Sequence, residues 1–243
     1  IDNTILHASS TQVNSDEYEE LKKKYGDYFA GLKLSNHRMN VKLRPGLKDF
    51  FEAIKDKYQI YLYTYGTRDY AIEIIRYINK TFDCNYLDPE KLVAREDNTY
   101  DHKTIKRIFP TMEDMVIMMD DRTDVWQRSS HLINMVPYFF FWDPGFQINS
   151  KYIKFDEDRM LYSVSKLLVF INDIFYYYYS TYNSRLNVKY ILEKKMKMVF
   201  NKSVFTFSNL HKKSQDIYKT SQCFCIETLG GVLHEDYTDD VSY

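Results

Sequence analysis

Met115-Val116-Ile117-Met118-Met119-Asp120-Asp121 is a run of five apolar residues that ends on two adjacent carboxylates. Such a run, without polar alternation, reads as a strand buried on both faces. Earlier in the chain, Gln59-Ile60-Tyr61-Leu62-Tyr63-Thr64 is a second apolar run of strand length, ending on a hydroxyl. The opening Ile1-Asp2-Asn3-Thr4-Ile5-Leu6 reads as the end of a third buried strand passing into a loop. Helical patterns separate these runs. Residues 14 to 25 are charged and helix-prone, and Arg44-Pro45-Gly46 marks a turn before Leu47, Phe50, Phe51, Ile54 and Tyr58 recur at helical spacing. Gly66-Thr67-Arg68-Asp69 caps another helix, with Tyr70, Ile74, Ile75 and Ile78 on its apolar face. Residues 80 to 100 read as a loop with a short apolar piece at Leu92-Val93-Ala94, and Lys103 to Phe109 reads as helical. Apolar strands alternating with helices predict an α/β fold, a Rossmann-like parallel sheet with helices on both faces.

Ligands of such sheets bind beyond the carboxyl ends of the strands. That edge would gather Asp2, Thr64 and the pair Asp120-Asp121. A single acid after a strand is usually a cap or turn residue. Two adjacent acids at a buried strand end repel, and a hard cation relieves the repulsion. Magnesium takes one or two carboxylates together with water and phosphate oxygens. Thr64 offers a hydroxyl donor and Lys103 a compact positive charge, both suited to phosphoryl oxygens. Together they predict a phosphoryl-transfer site.

Composition narrows the partners. The 243 residues are 44% hydrophobic and 28% charged, with a formal net charge of -1. No global field therefore selects nucleic acid or an acidic membrane, and phosphate affinity must come from a local site. Cys84, Cys223 and Cys225 fit neither a disulfide framework nor a zinc spacing and read as buried small hydrophobes. No run approaches the ~18 uninterrupted apolar residues of a membrane span, and no signal peptide is visible. Among the 23 Tyr and 16 Phe, the cluster Phe175 to Tyr179 stands out, and one reading of it is a stacking surface for a peptide or base. Leu161, Val164, Leu167, Leu168, Ile171, Ile174, Phe175 and Tyr178 recur at helical spacing, which predicts a helix packed on a neighbour.

The residues carry a resemblance. Asp2-Asn3-Thr4 looks like the tail of D-x-D-x-T, Thr64 like the Ser/Thr motif, Lys103 like the basic motif and Asp120-Asp121 like the acidic motif of the haloacid dehalogenase superfamily. Leu43-Arg44-Pro45-Gly46-Leu47, Tyr63-Thr64-Tyr65-Gly66-Thr67-Arg68 and Asp120-Asp121-Arg122-Thr123-Asp124-Val125-Trp126 are more specific. In this order they resemble the transcription-factor-IIF-associating phosphatases of the RNA polymerase II C-terminal domain, over roughly residues 1 to 145. The resemblance implies a Mg2+-dependent protein serine/threonine phosphatase in the nucleus. Its substrate would be the phosphorylated C-terminal repeat, transcription factor IIF a further partner, and neither nucleic acid nor membrane a direct one. It implies Asp2 as general acid and, through its carbonyl, a metal contact, with Asp121 the side-chain metal ligand and Asp120 in close support. Thr64 and Lys103 would hold phosphoryl oxygens, and Thr67, Arg44 and Arg122 would meet substrate, with bracing of the strand end the other reading of Arg44. The family's nucleophile, the first aspartate of D-x-D-x-T, would sit immediately before Ile1.

Two other readings stay open at this point: a catalytically inactive scaffold that binds phosphopeptides, and a small-molecule phosphatase of the same superfamily. Neither the interval from Asp2 to Thr64 nor that from Thr64 to Lys103 is long enough for a large independent cap, which favours an open site. Val204-Phe205-Thr206-Phe207-Ser208 reads as a strand, Ile226 to Gly231 as a helix ending at glycine, and Val241-Ser242-Tyr243 as the start of another strand. This segment resembles the first half of a BRCT domain, with Asn209 where a glycine is expected. The expected organisation is a phosphatase domain over 1-145, a helical linker over 146-187 and a partial BRCT-like domain over 188-243.

Overall fold

The computed structural model describes residues 1–10, 13–34, 38–98, 101–127, 129–141, 157–182, 186–206 and 221–234. Close packing divides the chain into one unit of Ile1–Thr104, Met118–Arg128 and Leu132–Asn172, and a second of Ile105–Ile117, Ser129–His131 and Asp173–Tyr243. Residues 105–117 and 129–131, which lie within the span expected for the first domain, thus pack with the second unit.

In the first unit, β1 (Leu6–Ser9), β2 (Phe29–Lys33) and β3 (Arg38–Leu43) form an antiparallel sheet in the order β1-β3-β2. Leu6 pairs with Leu43, and Phe29 with Lys42. Helix α1 (Ser15–Tyr25) precedes β2 and buries none of its own residues. It forms because Asn14 caps it by accepting from Glu17 N, with acids in the first turn and lysines in the last. Tyr18 fastens it, its ring tilted against Phe29 with centres 5.2 Å apart and its hydroxyl accepting from Gly31 N at 3.2 Å. The interval between Asp2 and Thr64 is thereby filled by a helix and a small sheet.

Gly46, in the left-handed region at φ 75, starts α2 (Leu47–Ile54), whose Leu47, Phe50, Phe51 and Ile54 are buried. The expected helical pattern extended to Tyr58, but the helix ends at Ile54. Tyr58 instead donates its hydroxyl to Leu168 O at 2.7 Å. Strand β4 (Leu62–Tyr63) pairs parallel with β5 (Leu92–Val93), and α3 (Arg68–Phe82) connects them. The buried face of α3 holds Tyr70, Ala71, Ile74, Ile75, Ile78 and Phe82. Strand β6 (Met118–Asp120) pairs parallel with β7 (Leu132–Asn134). The runs at 59–64 and 115–119 each supply a parallel strand, shorter than the run itself, which among the described strands pairs with β5 or β7 and not with the other run. The expected helix from Lys103 to Phe109 is a single turn, with Phe109 N donating to Ile105 O at 2.8 Å.

Helix α4 (Met160–Tyr182) buries Leu161, Val164, Leu168 and Ile171. The predicted stripe stops there: Ile174 and Phe175 are half-buried, and Tyr176 to Tyr179 are exposed. In the second unit, α5 (Val188–Met196) is capped by Asn187 and buries Val188, Ile191 and Leu192. Strands β8 (Val204–Phe205) and β9 (Val232–Leu233) run parallel, with α6 (Ser221–Thr228) between them. Gly230 has φ 90, and a Cβ there would lie 2.0 Å from Lys197 O, so only glycine fits. Phe207, Ser208, Asn209 and Val241 to Tyr243 lie outside the described residues. Of the cysteines, Cys223 is buried as expected, whereas Cys84 is half-buried and Cys225 exposed. Among the described residues no helix is long and apolar enough to cross a membrane.

Burial pushes the hydroxyls of Tyr70 and Tyr77 above their ordinary value of 10.0, and the Asp2 and Asp27 charges add to it. A phenol whose pKa rises on folding contributes stability that is fully present below pH 10 and lost as pH climbs toward the folded value. Stability should therefore fall as pH rises past about 10. Tyrosinate absorbance, followed alongside circular dichroism, should show these phenols ionising only with unfolding, and Tyr77→Phe should soften the alkaline loss.

Candidate active site

Asp120 is the last residue of β6, and Asp121 follows it, so their side chains leave the strand on opposite sides. The Asp120 carboxylate is buried and takes three donors. Lys103 Nζ lies 2.6 Å and Trp126 Nε1 2.8 Å from Oδ2, and Arg122 N lies 3.0 Å from Oδ1. Burial pushes this carboxyl up, but the Lys103 charge, with the hydrogen bonds from Lys103 and Arg122 N, holds it below its ordinary range. Lys103 is itself almost buried. Its ammonium stands 5.3 Å from the ring centres of Tyr65 and Trp126 and 5.5 Å from that of Tyr63, within cation–π range. One turn fixes both partners. Residues Asp124–Trp126 carry the indole that reaches Asp120, while Val125 O accepts from Lys103 N at 2.7 Å.

Asp121 points the other way, to Thr4, whose hydroxyl donates to Oδ1 at 3.0 Å. Burial and the neighbouring Asp120 charge push the Asp121 carboxyl above its ordinary value. Thr4 is held by the turn that follows Asp2. Thr4 N and Ile5 N donate to Ile1 O at 3.3 and 3.0 Å, and Asn3 supplies the left-handed residue at φ 57. Asp2 accepts the hydroxyl of Tyr70 on Oδ1. The Tyr70 ring lies against Gly66, where an added Cβ would stand 2.7 Å from Tyr70 Cδ1 and 3.3 Å from Thr64 Oγ1. Thr64 is buried just after β4 and accepts from Gly66 N at 3.0 Å. Lys103 Nζ reaches Tyr63 O at 3.4 Å.

The contacts close on themselves: Asp2 to Tyr70, Gly66 and Thr64, through Tyr63 to Lys103, then Asp120, Asp121, Thr4 and back to the Asp2 turn. Asp2, in the turn before β1, is therefore brought to one place with Thr64 and Asp120-Asp121, at the ends of β4 and β6. Two carboxylates with different protonation costs, a fixed ammonium and a buried hydroxyl in one cluster are the groups that phosphoryl transfer uses.

Three residues expected to touch substrate are otherwise engaged. Arg44 has no exposed surface. Its guanidinium donates to Thr4 O at 2.9 Å and Val136 O at 2.8 Å, and it forms a two-point ion pair with Asp158 at 3.1 and 2.7 Å. A substrate cannot reach it; it braces the Thr4 turn. Thr67 caps α3, accepting from Tyr70 N. Arg122 is exposed and paired with Asp124. Sequence reasoning assigned no role to Thr4, Tyr70 or Trp126. Thr4 and Trp126 stood inside quoted motifs, whereas Tyr70 was read only as part of an apolar helical face.

Removing the Arg44 charge would leave the Asp158 carboxylate and two main-chain oxygens without their donor. Arg44→Met should destabilise the protein by about 3–5 kcal/mol, read as a lower urea midpoint. An unchanged midpoint would mean that the clamp contributes nothing.

A family model described as NLI interacting factor-like phosphatase matches residues 1–172. The chain is 27% identical over 261 residues to an RNA polymerase II C-terminal domain phosphatase of Caenorhabditis elegans, covering 100% of this chain and 38% of that protein. It is 37% identical over 122 residues to the Saccharomyces cerevisiae protein of the same name, covering 50% of this chain and 16% of that one. The chain thus spans well under half the length of these curated relatives. A solved structure of Fcp1, described as an essential RNA polymerase II CTD phosphatase, superposes with a TM-score of 0.79 at 23% identity. That match covers 98% of this chain and 80% of that one, and shows that the two share a fold, the α/β fold of the haloacid dehalogenases. With its model matched over most of the sequence and its expected acids, hydroxyl and lysine gathered at one edge, this chain belongs to the NLI interacting factor-like phosphatases.

Proposed function

We propose that this chain is the catalytic part of a nuclear protein serine/threonine phosphatase that acts on the phosphorylated C-terminal repeat of RNA polymerase II through a phosphoaspartyl intermediate. The observation that carries the proposal is the closed circuit of contacts joining Asp2, Thr64, Lys103, Asp120 and Asp121. The names of the relatives support the substrate. The attacking carboxylate belongs to the position that the resemblance puts before Ile1. In support, the Ile1 nitrogen is buried and feels the charges of Asp2, Lys103, Asp120 and Asp121.

Attack forms a bond from that carboxylate to phosphorus and breaks the bond from phosphorus to the serine or threonine oxygen. Asp2 gives a proton to the departing oxygen, then accepts one from the water that hydrolyses the intermediate. Lys103 and Thr64 hold the phosphoryl oxygens while charge spreads over them. Asp120, with all three donors engaged, holds Lys103 in place.

Magnesium fits the donors present. Burial and Asp120 make the Asp121 charge costly, and a divalent cation offsets that cost. Among the described residues no group of three or more His, Cys, Asp or Glu side chains forms a metal cage. An ion here would rest on Asp121, the Asp2 carbonyl and substrate oxygens, which is how magnesium is usually held. When bound, it would supply Lewis-acid neutralisation of the phosphoryl oxygens.

The intervals between the motifs hold α1, the antiparallel sheet, α3 and β5 rather than a cap, which favours an extended peptide over a small enclosed substrate. The parallel pair β8–β9 with α6 between supports a BRCT-like start in the second unit. Transcription factor IIF is carried as a partner by the resemblance alone.

In the full-length protein, Lys103→Ala should lower turnover of a diphosphorylated heptad-repeat peptide roughly 100-fold, the usual cost of one preorganised stabiliser of a developing anion. Unchanged turnover would remove Lys103 from the site. Chelation of magnesium should abolish that activity and readdition restore it. Asparagine in place of an aspartate before Ile1 should silence turnover, and sugar phosphates should be poor substrates beside the peptide.

A further inference from the structure

Asp2 is half-buried, and a carboxyl on a short side chain still turns about two bonds. Proton transfer needs one of its oxygens held in line with the departing oxygen. The groups that could hold it are few. Tyr70 is the third residue of α3, only 6% exposed, and its hydroxyl donates to Asp2 Oδ1. The ring has one place to be. Its own main-chain N donates to the Thr67 cap at 3.4 Å. Its edge fills the space over Gly66, where a Cβ would come within 2.7 Å of Cδ1 and 3.2 Å of Cε1.

We infer that Tyr70 is the positioning residue for leaving-group protonation: it fixes Asp2 Oδ1 and so aims Oδ2 at the departing oxygen. The inference rests on the reading of Asp2 as general acid and base given above. In the first step the proton leaves Asp2 Oδ2 for the serine oxygen as the phosphorus–oxygen bond breaks. In the second, Oδ2 recovers a proton from the attacking water as the phosphoaspartyl bond breaks. Tyr70 keeps its own proton in both.

A group that only aims the acid matters in proportion to how much the leaving group needs a proton. An alkoxide from serine needs it; p-nitrophenolate departs without it. The test compares Tyr70→Phe, which keeps the ring over Gly66 and loses only the hydroxyl, on a phosphoserine heptad peptide and on p-nitrophenyl phosphate, in the full-length enzyme. The expected kcat/KM, which reports departure of the leaving group and not the hydrolysis that both substrates share, falls about 10- to 100-fold on the peptide, the range for a misaimed catalytic group, and by less than about threefold on the aryl phosphate. KM for the peptide holds. Asp2→Asn should show the same preference more strongly, and the double variant should lose no more than Asp2→Asn alone. Equal losses on both substrates, or none on either, overturn the inference for Tyr70. If Asp2→Asn shows no leaving-group dependence while Tyr70→Phe does, the assignment of Asp2 fails instead, and the inference with it.

Discussion

Two carboxylates on consecutive residues cannot both be charged in a half-buried site without help, and the help they receive is unequal. Asp120 is given an ammonium, an indole N–H and a main-chain N–H. Asp121 is given one hydroxyl, and its charge remains costly. Strand geometry makes the division possible, because successive side chains leave β6 on opposite sides. The saturated acid becomes a fixture for Lys103, and on the proposed function the unsaturated one would meet a cation. The remaining architecture brings partners to these two side chains from distant parts of the chain.

Two devices do most of that delivery. The Asp124–Trp126 turn immediately after the acids bonds the Lys103 main chain and reaches back to Asp120, so one short segment sets both ends of the ion pair. On the opposite flank, Arg44 spans the end of β3, the Thr4 carbonyl, the Val136 carbonyl and Asp158. A buried guanidinium with planar, fixed donors is suited to such a junction, where a lysine would satisfy fewer acceptors. Because Thr4 hangs from this clamp, the hydroxyl that meets Asp121 is placed by a residue that never contacts substrate.

The site was legible in the sequence where chemistry follows directly from strand ends. Thr64 and Asp120-Asp121 each terminate an apolar run, and the structure brings them together with Asp2 in one cluster. Lys103 is different. No periodicity marks it, the helix expected around it is a turn, and it stood out only by its charge and by the resemblance. For Arg44 the sequence left substrate contact and bracing both open, because its burial depends on Asp158, 114 positions away. Tyr70 was hidden by its own ring. At helical spacing beside Ile74 and Ile75 it counts as apolar, and periodicity sees the ring but not the hydroxyl at its end. The α4 stripe failed for a related reason: spacing predicts a face, yet burial of that face depends on what lies opposite, which spacing does not contain.

The aromatic surroundings of Lys103 bear on how the site can bind an anion without an overall positive charge. An ammonium buried against Asp120 alone would be neutralised as a pair, with little field left for a phosphate. Three ring faces within 5.5 Å share in stabilising the cation without adding a second negative charge. They also exclude water from its flanks, which keeps the local dielectric low and the remaining attraction for a phosphoryl oxygen strong. On the proposed function, a chain with net charge -1 would hold a phosphate group through one lysine of fixed position, and its selectivity for a phosphorylated residue would lie in that confinement and not in a broad basic surface.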